Sequence, residues 1–223
     1  WKGEVDTLTF DIALHAGTLV ALIACFCRDW IDLFLRRRRL LAFIIIATVP
    51  AGVAGVLLHD LVEHGLRHPL VIVVSLVLFG LLMLYAERRH GSSNRGDFAR
   101  LSLLDALLIG FAQAVALLPG VSRSGITITA GLFRSLTRES AARFSFLLST
   151  PVIAGATLLG LRKVFRHPEA YQVDVFAVGF VAALLSGVFA ITFLLNYLKR
   201  HPLNGFVYYR LVLAGVILAA WLR

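Results

Sequence analysis

The sequence predicts an all-α polytopic membrane protein: about six transmembrane helices plus a re-entrant helical hairpin. Three observations carry this. Hydrophobic residues make up 59% of the 223 and the mean hydropathy is +0.84, too apolar for a soluble globule of this length. Uncharged runs close to the ~20 residues a bilayer requires alternate with short loops that hold most of the Lys and Arg. One polar stretch, Leu117-Leu-Pro-Gly-Val-Ser-Arg-Ser-Gly-Ile-Thr-Ile-Thr-Ala-Gly131, lies between two apolar segments that could both sit at membrane depth. In a soluble chain a net charge of +9 would suggest nucleic acid. Here the cations sit between spans and read as topology and headgroup contact, so nucleic-acid binding is not expected.

Taken in order, Ile12–Cys27 is the first uncharged run, extended by Phe10 and by Trp30 at an interface. Cys25 and Cys27 point in different directions on one helix and read as small buried residues, with no metal or disulfide pattern around them. Arg28 and Arg36–Arg39 follow, facing solvent and headgroups. Leu40–Leu58 is the second run, kinkable at Pro50 and open to close approach at Gly52 and Gly55. The loop His59–His68 precedes the third run, Pro69–Ala86, after which Arg88, Arg89, Arg95 and Arg100 stand in a Gly/Ser/Asn linker. Both Arg-rich loops fall on one side, which the positive-inside rule makes cytoplasmic; Trp1 is then outside.

Leu101–Leu118 leads into the polar stretch, and Ile126–Phe133 is too short to cross alone. Arg134, Arg138 and Arg143 come next, so Leu101–Phe133 reads as a helix–turn–helix hairpin that dips in and returns. Asp105 after Ser102, and Glu139 after Thr137, read as the acids of helix starts. Phe144–Leu161, Val175–Leu198 and Leu203–Leu222 supply three more spans, with the Lys199–Pro202 turn cytoplasmic. The loop Arg162–Asp174 carries Arg162, Lys163 and Arg166 on the outer side, against the rule.

The organisation expected is a single integral-membrane domain over 1–223: a first half-repeat 1–90, a linker 91–100 and a second half-repeat 101–223 whose re-entrant hairpin is 101–133. Three spans precede the hairpin and three follow, and an odd number reverses orientation, which is the arithmetic of an inverted-topology repeat. Symmetry then expects a matching hairpin before Trp1. The first residue is Trp and the only methionine is Met83, which also leads us to expect upstream residues.

The polar stretch has chemistry of its own. Pro119 suits a helix end or first turn, Gly120 lets the backbone bend close to a ligand, and Gly125 leaves similar room. A helix starting there would aim free N–H groups at the turn, with hydroxyls from Ser122, Ser124 and Thr127 and the planar fork of Arg123 beside them: an anion cradle. It is not the nucleotide P-loop, which ends Gly-Lys-Ser/Thr after a strand. Spacing alone leaves a second reading open, a Pro/Gly kink whose Arg pairs inside the bundle. Ser122 reads as orienting a phosphate oxygen rather than attacking, since no adjacent base is visible. Arg210 lies in an otherwise uncharged span, either as a second phosphate contact or snorkelling to headgroups. Gln113 would bond the cradle loop or another helix. His15 reads as a satisfied interior histidine rather than a proton carrier.

Over Pro119-Gly-Val-Ser-Arg-Ser-Gly-Ile-Thr127 the chain resembles the undecaprenyl-diphosphate phosphatases, the bacitracin-resistance family of bacterial inner-membrane enzymes. The resemblance extends through Phe10-Asp-Ile-Ala-Leu-His-Ala-Gly-Thr18, Val49-Pro-Ala51, Leu58-His-Asp60, Gly110-Phe-Ala-Gln113, Phe144-Ser-Phe-Leu-Leu148 with Pro151, and Tyr209-Arg210. It implies a polyprenyl diphosphate substrate cleaved to the monophosphate and inorganic phosphate, so that the carrier re-enters cell-wall synthesis. It also implies Arg123 as the diphosphate clamp with Ser122, Ser124 and Thr127 as partners, Arg210 as a second contact, a divalent cation (Mg²⁺ or Ca²⁺), and a site opening to the periplasmic or outer face. The family's other signature, a glutamate-rich segment followed by Leu-Pro-x-Ser-Ser-x-Gly-His, would precede Trp1. A homodimer is one assembly open to such a chain. The competing reading is a transporter or flippase of a phosphorylated polyprenyl lipid, which shares broken helices and inverted repeats; a channel-like or structural protein fits the Arg123 cluster least.

Overall fold

The computed structural model describes residues 7–58, 68–89, 96–166 and 173–222. Among them the chain is helical: α1 (Thr7–Cys25), α2 (Cys27–Leu35), α3 (Arg38–Leu57), α4 (Pro69–Arg89), a 3₁₀ turn (Phe98–Arg100), α5 (Leu103–Val115), α6 (Arg123–Phe133), α7 (Arg138–Arg166), α8 (Val173–Leu198) and α9 (Asn204–Trp221). Five stretches are long and apolar enough to cross a membrane: Arg38–Leu57, Pro69–Arg89, Arg138–Arg162, Val173–Leu198 and Asn204–Trp221, with α1 and α2 a sixth if the bent pair is one span. The protein is thus a multi-pass membrane protein. The short helices α5 and α6 pack against each other across the turn between them as a helical hairpin. The expectations for 59–67, for 90–95 of the linker and for 167–172 lie outside the described residues.

The first span differs from its expected form. It breaks at Phe26, whose φ of −111° and ψ of 20° leave the helical region, and α2 turns away by 68°. Neither Pro nor Gly causes this; Phe26 is buried, and Asp29 in the first turn of α2 suits the new helix dipole. Two expectations about this segment are corrected. Cys27 is exposed and Cys25 only partly covered, because the break turns them off any core face. His15 is exposed as well, and its Nδ1 lies 2.7 Å from the Asp11 carbonyl of its own helix; a local bond, not an interior partner, satisfies it. Arg36–Arg39 are exposed as expected, Arg37 pairing with Asp32 at 2.7 Å.

The chain forms two compact units, Trp1–Arg38 with Ser149–Asn196 and Arg39–Leu148 with Tyr197–Arg223. In the first, α1 meets α8 through small residues. A Cβ on Gly17 would lie 2.4 Å from the Phe180 carbonyl oxygen, and one on Gly187 would lie 2.9 Å from Ala21 Cβ. In lipid, where burying apolar surface gives little drive, such backbone approach supplies the packing.

The second unit holds the hairpin. α4 packs against α9 and α6, and α6 against α5. One stripe of α3, Leu40, Phe43, Ile44, Ala47 and Ala51, is buried at helical spacing. Against it α5 comes so close that a Cβ on Gly110 would fall 2.3 Å from the Ala47 carbonyl oxygen. The capping box read from the sequence closes the start of α5. Asp105 N–H donates to Ser102 Oγ at 3.2 Å, and Ser102 N–H donates to Asp105 Oδ2 at 3.0 Å. Thr137 caps α7 by accepting from Ser140 N–H at 3.1 Å. Between α6 and α7 the chain turns at Ser135, φ 63°, and Leu136 N–H returns to Gly131 O at 3.1 Å, a left-handed helix stop.

The arginines after α6 do more than mark topology. Arg134 pairs with Asp105, and Arg138 donates through Nε to Glu87 Oε1 at 2.7 Å. Glu87 Oε2 also accepts from Leu203 N–H at 3.3 Å. This buried carboxylate therefore ties the end of α4 to the starts of α7 and α9. Burial pushes the Asp105 carboxyl up, but the Ser102 hydrogen bonds and Arg134 outweigh it and hold it below the usual carboxylate range.

Candidate active site

The end of α5 tightens before it breaks. Leu117 and Leu118 N–H groups return to Ala114 and Val115 carbonyls at 3.1 Å each, and Pro119 stops the helix. A turn follows: Val121 N–H reaches Leu118 O at 3.2 Å, with Pro119 second and Gly120 third at φ +89°, the residue order of a type II turn. Gly120 is required twice over. Its φ is costly for any other residue, and a Cβ there would lie 2.8 Å from the Ile72 carbonyl oxygen of α4. Val121 is wholly buried. Ser122 then takes φ 68° and ψ 110°, an uncommon and strained place for a serine of the kind that clusters at active sites and ligand clamps.

Ser122 is the N-cap of α6. Its Oγ accepts from Gly125 N–H at 3.2 Å and its carbonyl from Ile126 N–H at 3.0 Å. The N–H groups of Ser122, Arg123 and Ser124 have no partner among the described residues, nor has the Ser124 hydroxyl. Arg123, half-buried, stands at the first position of the helix, and among the described residues neither a carboxylate nor a carbonyl binds its guanidinium. The reading in which this Arg is locked inside a kink therefore has no acceptor here. What remains is a row of donors at a helix N-terminus with a half-buried cation beside them.

The other sequence candidates gather around this turn with altered parts. Thr127, 1% exposed, spends its hydroxyl on Arg123 O at 2.8 Å, Ser124 O at 3.2 Å and Ser145 Oγ of α7 at 2.6 Å; it braces the first turn of α6. Gly125 is closely surrounded, since a Cβ would lie 3.1 Å from Ser122 Oγ and 3.3 Å from Arg210 Nη1 and would press both outward. Arg210 does not snorkel. It is 6% exposed, and its Nη2 donates to Gly120 O at 2.8 Å and Val121 O at 2.9 Å. Gln113 is 2% exposed, and among the described residues neither of its amide atoms has a partner in the loop or on another helix, an arrangement that a polar ligand or water would relieve.

Sequence reasoning gave no role to Ser145 or Glu87. Ser145 sits between two phenylalanines on an inward face, a buried hydroxyl that needed a partner. Glu87 continues the buried stripe Leu76, Gly80, Met83 of α4, a spacing that separates it from Arg88 and Arg89. For a divalent cation, the residues fit poorly: among those described, no three His, Cys, Asp or Glu side chains come together, and the buried carboxylates Asp105 and Glu87 are already paired with arginines.

Similarity to known proteins runs over nearly the whole chain. Residues 1–216 match the family described as "Bacitracin resistance protein BacA". A protein of Thermodesulfovibrio yellowstonii named "Undecaprenyl-diphosphatase" is 54% identical over 217 residues, covering 97% of this chain and 83% of the relative. Relatives of the same name from Moorella thermoacetica, 44% identical over 97% of this chain and 84% of their own, and Rubrobacter xylanophilus, 44% identical over 95% and 83%, are similar.

Proposed function

The chain belongs to the bacitracin resistance protein BacA family, and on that premise we propose that Arg123 grips the diphosphate from which its reaction removes the terminal phosphate. The protein is an enzyme that hydrolyses undecaprenyl diphosphate to undecaprenyl phosphate and inorganic phosphate. The reaction returns the lipid carrier to cell-wall synthesis and underlies bacitracin resistance.

One observation carries the assignment of the site: Arg123 is a half-buried cation without a counter-ion, set at the start of α6 beside three open N–H groups. Phosphoryl transfer asks the protein chiefly for positioning and for charge opposite the equatorial oxygens. The Arg123 fork neutralises those oxygens while the Ser122, Arg123 and Ser124 amides and the Ser124 hydroxyl hold them in place. Gly120 and Gly125 let the backbone come close. Ser122 Oγ, engaged with Gly125 N–H, orients the loop. Thr127 keeps the first helical turn from fraying, and Gln113 offers its amide to the polar end of the substrate.

The positive-inside rule supports a bacterial inner-membrane placement in which the α2–α3 and α6–α7 arginines are cytoplasmic and the cradle opens to the outer face. A divalent ion, Mg²⁺ or Ca²⁺, would supply further neutralisation of the diphosphate. The described residues do not compose its site; loss of turnover in EDTA with recovery on Mg²⁺ or Ca²⁺ is the readout for that requirement.

Phosphate release from undecaprenyl diphosphate by purified full-length protein tests the clamp. Arg123→Ala is expected to lower kcat by about 10³-fold or more, the size seen when a charge-stabilising arginine is removed from phosphoryl transfer. Hydrolysis at the wild-type rate by folded Arg123→Ala would refute it. Headgroup movement across vesicles without phosphate release would favour the transporter instead.

A further inference from the structure

Arg210 lies within a membrane-spanning helix, 87 residues after Arg123, yet it meets the cradle motif directly. Its Nη2 alone donates to two successive carbonyls, Gly120 O at 2.8 Å and Val121 O at 2.9 Å. A trans peptide carries its C=O and N–H on opposite edges. With both carbonyls drawn toward α9, the N–H edges of the same peptides face away from it. The first of those N–H groups, on Val121, closes the turn on Leu118 O. The second, on Ser122, is left open among the described residues, as are the next two N–H groups along the chain, those of Arg123 and Ser124.

The surroundings of Arg210 fit a fixed scaffold member better than a group that reaches for substrate. It is 94% covered, at 6% exposure. Its Nη1 lies 3.3 Å from where a Cβ on Gly125 would be, and its Cβ and Nε lie 3.9 Å from where one on Gly80 would be. Two glycines, one on α6 and one on α4, thus make its slot. No carboxylate among the described residues pairs with it. The turn it holds is strained, with positive φ at both Gly120 and Ser122. In water such a turn could satisfy its carbonyls with solvent; at membrane depth a donor has to come from the protein.

We infer that Arg210 is a positioning residue for the hydrolysis: its guanidinium, by holding the Gly120 and Val121 carbonyls, turns the donor edge of the cradle toward the phosphate. The inference rests on the reading of Arg123 as the diphosphate clamp. Without the two bonds the Val121–Ser122 peptide can rotate to relieve the positive φ of Ser122. Its carbonyl oxygen would then stand where an amide donor is needed, and a partial negative charge would face the phosphoryl oxygens.

A double-mutant cycle on purified full-length protein tests this, reading phosphate release from undecaprenyl diphosphate in detergent. Arg210→Met is expected to lower kcat by about 10²-fold with KM changed by less than about threefold, the pattern of a misplaced site rather than a lost binding contact. Placed in Arg123→Ala, it should add little, the double variant lying within about threefold of the slower single one. Losses that multiply would mean that Arg210 touches the substrate on its own account, and would overturn the inference. Should Arg210→Met not fold, Arg210→Lys serves, with backbone hydrogen exchange as the second measurement. The Gly125 and Ile126 amides, now bonded to Ser122, should exchange faster than in wild type; unchanged exchange together with lost turnover would overturn the inference as well. If Arg123→Ala hydrolyses normally, the clamp reading fails, and the exchange measurement still decides the role of Arg210.

Discussion

Gly120→Ala is the smallest change that separates a built cradle from an incidental kink. Two costs add. Holding a non-glycine residue at φ +89° costs about 1–2 kcal/mol. The new Cβ would also lie 2.8 Å from the Ile72 carbonyl oxygen and 3.2 Å from Ser75 Cβ; α4 is a rigid backbone neighbour, and such overpacking costs about 1–3 kcal/mol. The turn escapes by moving off α4, which stretches the bonds from Arg210 to Gly120 O and Val121 O. With a combined penalty of about 3 kcal/mol on the competent conformation, only about one molecule in 10² holds it, and kcat should fall by on the order of 10²-fold at an unchanged substrate class. The control is Gly215→Ala on the exposed side of α9, where nothing lies within 4 Å of the added Cβ; it should melt at or slightly above the wild-type temperature and turn over normally. Phosphate release and thermal melting in detergent are the assays. A Gly120→Ala protein with wild-type kcat would show that the turn does not set the geometry of catalysis.

Two further outcomes follow from the buried ties around the hairpin. Glu87→Gln removes the charge that faces Arg138 and weakens the link to Leu203 N–H. It should destabilise the protein by about 2–4 kcal/mol, as breaking a buried pair does, and lower the melting temperature while the folded fraction keeps kcat within about threefold; a loss of kcat without a loss of stability would contradict the structural role. Thr127→Val removes the bonds to Ser145 and to the Arg123 and Ser124 carbonyls at a cost of about 1–3 kcal/mol, and Thr127→Ser should restore most of both stability and turnover; equal damage from the two would point away from the hydroxyl.

Much of this fold was legible because lipid leaves a chain few choices. An uncharged run near 20 residues has no other stable form at that depth, and the expected spans are helical here, the first of them broken at Phe26. The capping box at Ser102 and Asp105 was legible for a local reason: its partners are three residues apart. What escaped the sequence acts over distance. Arg134 and Arg138 follow an apolar segment and look like loop charges, since counting cations reveals sign and not partner. Their carboxylates stand 29 and 51 residues away. The break at Phe26 carries no Pro or Gly to announce it. At the turn, the residue types of Pro119 to Ser124 left two readings open, an anion cradle and a kink whose Arg pairs inside the bundle, and the division of labour was hidden. Thr127 was read as a substrate donor, whereas its hydroxyl is bound to its own helix and to Ser145. Only the fold shows that Arg210 faces carbonyls.

The distribution of charge within this unit separates architecture from chemistry. After the hairpin ends, carboxylates meet the cations: Arg134 pairs with Asp105, Arg138 with Glu87, and Glu139 lies between Arg143 and Lys199 at 3.9 and 3.8 Å. At the turn of the same hairpin neither Arg123 nor Arg210 has one among the described residues. Pairing is what a buried cation needs to be stable in apolar surroundings, so an unpaired Arg123, with three open amides beside it, leaves a positive site that a bound anion would complete. A diphosphate on a lipid tail suits that need: the tail stays in the hydrocarbon while the headgroup is drawn to the turn. Adding a carboxylate there, as in Ser124→Asp, should then occupy Arg123 and compete with the substrate, raising KM at constant fold, whereas Ser124→Ala should remove only one hydroxyl donor and act more weakly.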